Sequence, residues 1–186
     1  MMPINLMQTE EVMSNKNAEC RNIECLITKI SYELVHDVPL KGNEIDKLLG
    51  VLSRDGVYAL WVYTIYKLKD EKLAKLVNKL CDIFSLVQLN RNLNEGSSQK
   101  SDFSIERIKR LSKNLEEKFS QIDKEENENE KKKLMKDLKK ELEELKDKTS
   151  EYLQNISDDI HKLLFLRQIL ERTLIYARYH AKASEE

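Results

Sequence analysis

The chain has 186 residues, 40% of them apolar and 35% charged, with 32 basic against 33 acidic side chains. That length and apolar content suffice for a buried core, while four Gly and two Pro are too few to turn a sandwich or barrel of short strands, so an all-α fold is predicted. The charge balance excludes the global positive field of a typical nucleic-acid binder, and any polyanion contact has to come from local patches.

Residues 1–17 are polar and weakly patterned and read as a flexible N-terminus. Ile23, Leu26, Ile27, Ile30 and Leu34 then recur at helical spacing until His36-Asp37-Val38-Pro39 stops the pattern. Ile45, Leu48, Leu49 and Leu52 mark a short second helix, ended by the breaker Ser53-Arg54-Asp55-Gly56. Val57 to Leu68 is apolar on every side, which predicts a central helix surrounded by others, with Trp61 its largest contributor. Asp70 sits where an N-cap belongs, and Leu73, Leu76, Val77, Leu80, Phe84 and Val87 form the stripe of a fourth helix reaching about Leu89.

The composition changes at Arg91, where RNLNEGSSQKS (91–101) reads as a flexible connector. Beyond it, Ile108, Leu111, Leu115, Phe119 and Ile122, then Leu134, Leu138, Leu142, Leu145, Thr149 and Tyr152, alternate steps of three and four. That narrow seam predicts an antiparallel coiled-coil-like hairpin arm. Its solvated faces are nearly neutral, with nine Lys and ten acids between Gln121 and Ser150. Ser157 is the expected cap of a last, densely apolar helix carrying Leu163, Leu166, Leu170, Leu174, Ala177 and Ala181. The resulting organisation is a compact helical core domain made of 18–90 and 157–186, with 91–156 as a linker and charged helical hairpin insertion.

No apolar run approaches the roughly 18 residues of a membrane span, and Met1 to Met13 carries acids where a secretory signal is basic, so no membrane association and a cytoplasmic location are expected. Cys20, Cys25 and Cys81 lack the spacing of a zinc site and are expected to be buried free thiols. His36, His161 and His180 are scattered singly, no phosphate-binding Gly loop occurs, and of the paired Glu-x-x-His motifs a bundle metal site needs the sequence has only Glu33-Leu34-Val35-His36. The expectation is a non-enzyme with no cofactor, no metal and no small-molecule substrate.

The basic residues are more informative. Lys72, Lys75 and Lys79 fall within about 60° of one another on the fourth helix, away from its apolar stripe, and form an exposed, uncompensated row. Arg167, Arg178 and Lys182 share an edge of the last helix, where Glu171 stands in position to pair with Arg167, and Arg54 projects from the turn before the central helix. Such a discontinuous set can track a phosphate backbone by charge. Arg54, Lys72, Lys75, Lys79, Arg167 and Arg178 are therefore the candidate RNA-binding residues.

Two stretches carry a family resemblance. Leu52-Ser53-Arg54-Asp55-Gly56-Val57-Tyr58-Ala59-Leu60-Trp61-Val62-Tyr63 resembles a segment of the small helical subunit of type III-B CRISPR-Cas effector complexes, the Cmr module, in which a basic-polar-Gly turn opens an apolar helix. The stretch from Arg167 to Ala183 is similar to the last helix of that family, with an aromatic at Tyr176, a base at Arg178 and a closing alternation of alanines. The resemblance implies a non-catalytic subunit of an antiviral, RNA-guided complex. It would stack with copies of itself and other effector subunits and touch the crRNA and target RNA backbone. The alternatives are a small subunit of a type III-A or type I complex, or a scaffold or adaptor that binds protein through the arm at 102–156.

Overall fold

The computed structural model describes residues 22–89 and 99–185; the segment 1–17, Cys20 and most of the connector 91–101 lie outside them. The described residues form seven helices and no strand: α1 (Ile23–His36), α2 (Gly42–Asp55), α3 (Val57–Lys67), α4 (Asp70–Leu89), α5 (Gln99–Lys124), α6 (Glu128–Ser157) and α7 (Ile160–Glu185). The protein is an all-α helical bundle.

Local chemistry sets the helix ends. The Asn22 side chain accepts a 2.8 Å hydrogen bond from the Cys25 backbone N–H and starts α1. Ser53, Arg54 and Asp55 form the last turn of α2 instead of a breaker; the break is Gly56 alone, at φ 90° and ψ −173°, and α3 begins at the next residue. That conformation lies in the positive-φ region that glycine tolerates and an L side chain resists. The cap of α7 is Asp159, not Ser157. Its carboxylate accepts from the backbone N–H groups of Lys162 and His161 at 3.2 and 3.1 Å, and these bonds hold its pKa below the usual range, while the Ser157 hydroxyl donates back to the Leu153 carbonyl within α6.

The centre of the bundle is α4. It buries Leu73, Ala74, Leu76, Val77, Cys81, Ile83, Phe84 and Val87, with α5 lying along it and α1, α3, α6 and α7 also in contact. The predicted central helix, α3, is not enclosed. It buries Val57, Leu60, Trp61 and Thr64 but leaves Tyr58, Val62 and Tyr66 at 42%, 50% and 76% exposure. Eleven residues packed mainly on α2 and α6 have one face inward, and being apolar all round does not by itself supply neighbours for the other.

In the hairpin, the three-and-four spacing places its seam as predicted: Ile108, Leu111, Leu115 and Ile122 on α5, and Leu138, Leu142, Leu145, Thr149 and Tyr152 on α6, are buried. The base of the hairpin also packs into the rest of the core. The Tyr152 hydroxyl donates to the Phe84 carbonyl at 3.0 Å with the two rings 4.8 Å apart, and the Trp61 indole N–H donates to Ser150 Oγ at 2.8 Å. All the buried apolar residues, hairpin included, belong to one continuous core.

Leu145 is fully buried in the seam. Leu145→Ala is expected to cost about 2–5 kcal/mol. Because the hairpin shares one core with α3 and α4, unfolding followed by Trp61 fluorescence and by far-UV circular dichroism should shift together in a single transition. Loss of hairpin helicity at a lower denaturant concentration, with Trp61 unmoved, would show that the hairpin folds separately.

Candidate nucleic-acid interface

The six candidate cations lie on three helices around the α1–α2–α7 side of α4, and each already has a partner. Lys79 reaches from α4 to the end of α1, 2.7 Å from Asp37 and 3.3 Å from Glu33. Lys72 reaches from α4 to α2, 2.9 Å from Glu44, and also donates to the Pro39 carbonyl at 2.9 Å. Lys75 pairs with Glu71 one turn earlier at 2.6 Å. The predicted exposed, uncompensated row is thus half-buried and neutralised. A helical wheel of α4 alone places the lysines correctly but contains none of the acids that α1 and α2 bring to them.

The charges respond to this pairing. Burial disfavours the Lys79 ammonium, but the hydrogen bond to Asp37 and the field of Glu33 outweigh it, and its pKa lies above the usual lysine value. Burial likewise opposes ionisation of Glu44, yet the Lys41 backbone N–H, which also closes the first turn of α2 at 2.9 Å, and the Lys72 ammonium hold its pKa below the usual carboxylate range. Glu44 and Lys72 staple α2 to α4; Glu33, Asp37 and Lys79 staple α1 to α4.

The arginines behave in the same way. Arg54 is the most exposed of the six, and its guanidinium grips the adjacent Asp55 carboxylate at 2.8–3.1 Å. Arg178 on α7 contacts Asp46 on α2 at 2.6 Å. The Arg167 guanidinium donates to the Ser53 backbone carbonyl at 2.7 Å instead of pairing with Glu171, which accepts from the Ser53 hydroxyl at 3.4 Å. Arg167 and Glu171 therefore clasp the last turn of α2 together. This clasp joins the α2–α3 corner to the last helix, more than a hundred residues apart in sequence.

Several other expectations change in three dimensions. His36 and His180 are not isolated from each other: both rings contact Tyr32, at centroid distances of 4.0 and 5.7 Å. Cys25 is an exposed thiol, whereas Cys81 is buried as expected, and that burial pushes its pKa up to about 12. An apolar cavity of about 40 Å³ lies between Leu34, Leu48, Trp61, Phe84 and Leu170. The Thr64 and Thr173 hydroxyls at its edge are occupied by their own helices, donating to the Leu60 and Ile169 carbonyls. Among the described residues no group of three or more His, Cys, Asp or Glu is placed to hold a metal ion, and no helix is long and apolar enough to cross a membrane.

The feature missed by reading charges is the open face of α3. Tyr58, Val62 and Tyr66 are spaced by four and line one side of the helix, with the Lys67 ammonium 4.4 Å above the Tyr66 ring and Gln154 of α6 donating to the Tyr58 hydroxyl at 3.3 Å. Its signal was present in the all-apolar run 57–68, which admits an external partner as readily as an internal one. Compared with known proteins, the chain matches no family model, no curated protein and no solved structure.

Lys79→Met is expected to destabilise the fold by about 1 kcal/mol. The sign with pH follows from its raised pKa: the stabilisation is complete below the ordinary lysine value of 10.5 and is lost as pH rises through the higher folded value. Denaturant midpoints of wild type and variant should therefore differ at pH 7 and converge in strong alkali. Equal midpoints at pH 7 would mean that Lys79 does not hold α1 to α4.

Proposed function

We propose that the protein is a non-catalytic small subunit of a type III-B CRISPR RNA-guided effector complex, working chiefly through contacts with protein neighbours. The observation that carries this reading is the open apolar face of α3. The helix from the stretch resembling the Cmr small subunit leaves Tyr58, Val62 and Tyr66 exposed among the described residues. Large aromatic side chains aligned on one exposed face are costly to leave in water and are typical of the centre of protein interfaces.

The clasp of Ser53 by Arg167 and Glu171 supports the same reading, since it makes one unit of the two stretches carrying the resemblance. The RNA contribution of the six cations is correspondingly reduced. A phosphate approaching Lys72 or Lys79 has to displace a carboxylate already at 2.7–2.9 Å. Arg54 is the most accessible of the set, with its side chain 78% exposed, and is the best candidate for a backbone contact. The scaffold or adaptor alternative shares the emphasis on protein contacts but assigns them to 102–156, whose base is already engaged with α4 and Trp61.

Affinity purification of the tagged protein from its native host tests the proposal. Recovery with a CRISPR backbone subunit and a short guide RNA is the expected result, and Tyr58→Ser/Tyr66→Ser should reduce recovery of the protein partner by about tenfold or more. Recovery of unrelated proteins without RNA, in repeated purifications, would overturn it.

A further inference from the structure

The outer face of α6 carries an ordered line of charge that neither the fold nor the functional reading uses. Lys132, Lys136, Lys140, Glu143, Asp147 and Glu151 follow one another in steps of 4, 4, 3, 4 and 4, and all six are exposed. The spacing keeps them on one ridge of the helix, about 28 Å long at 1.5 Å per residue. The distal half of the ridge is three lysines and the proximal half three acids. Among the described residues Lys136, Lys140 and Asp147 have no ion-pair partner, whereas Lys132, Glu143 and Glu151 meet only neighbours on their own helix, Glu128, Lys146 and Lys148.

We infer that this ridge is a self-association surface on which α6 of a second copy lies antiparallel. The stepping reads the same from either end, while the charge reverses about a point between Glu141 and Leu142. A two-fold axis at that point sets Lys132 opposite Glu151, Lys136 opposite Asp147 and Lys140 opposite Glu143, and the symmetry repeats each pair. A parallel arrangement in register would set like charges against each other, so the pattern selects orientation as well as partner. A nucleic-acid backbone fits less well: strung along the ridge it would gain three lysines and then run onto three carboxylates. This association is distinct from the α3 face and does not depend on the CRISPR assignment.

The test is the solution mass of the full chain by sedimentation equilibrium, across protein concentration and at low and high salt. Wild type is expected to form dimers at low salt that dissociate as salt screens the pairs. Lys136→Glu/Lys140→Glu and Glu143→Lys/Asp147→Lys should each weaken self-association by about tenfold or more. Mixed one to one, these two variants should form a heterodimer, because one then carries only acids and the other only bases at the four central positions. The substituted side chains are exposed, and circular dichroism checks that both variants fold. A wild type that stays monomeric at every concentration, or a dimer indifferent to the substitutions, would overturn the proposal. So would monomeric wild type that binds a short single-stranded RNA and loses it in Lys136→Glu/Lys140→Glu, which would make the ridge a polyanion surface.

Discussion

Helix α4 has to be covered on nearly every side, and the rest of the bundle is arranged by that requirement. Leu73, Val77, Ile83 and Phe84 are buried to within 2% of completely, and no single neighbour can reach them all. α5 lies along one flank, α1 and α7 approach from others, and α3 and α6 close the remaining gaps. Apolar burial provides the drive, and the few polar bonds across it set the register: Tyr152 on the Phe84 carbonyl, and Trp61 on Ser150. The thiol of Cys81 is sealed in the same place, which is why it resists ionisation up to about pH 12.

Charge has a second, subordinate part. The carboxylates of Glu33, Asp37, Glu44 and Asp46 meet Lys79, Lys72 and Arg178 between helices that also touch through apolar groups. Pairs of this sort add little stability each, but they penalise a helix that slides or rotates, because a half-buried charge would lose its partner. A nearly neutral chain with 35% charged residues is thus consistent with much of its charge being spent internally.

Much of this was legible in the sequence. Helical periodicity located all seven helices, the heptad-like steps named the seam from Ile108 to Tyr152, and the stripe on the fourth helix named the residues that now form the centre. What periodicity cannot supply is the identity of the facing helix. For that reason Val57 to Leu68 read as enclosed when Tyr58, Val62 and Tyr66 are open, and Lys72 and Lys79 read as free when Glu44, Asp37 and Glu33 stand beside them; Glu71, the partner of Lys75, lies one turn away on the same helix and was there to be read. The cap of the last helix was misplaced by two residues for a smaller reason: Ser157 and Asp159 are both good caps, and only the geometry of the α6–α7 turn decides that Asp159 meets the free N–H groups.

The corner between α2 and α3 rests on one residue. At Gly56 a β-carbon would find no atom within 4 Å, so what excludes ordinary side chains is torsional handedness alone. Its backbone angles are the mirror image of an extended conformation that any L-residue adopts freely. A D-alanine installed there by chemical synthesis would therefore take up these torsions without backbone strain, and it would narrow the freedom of the unfolded chain in a way glycine does not.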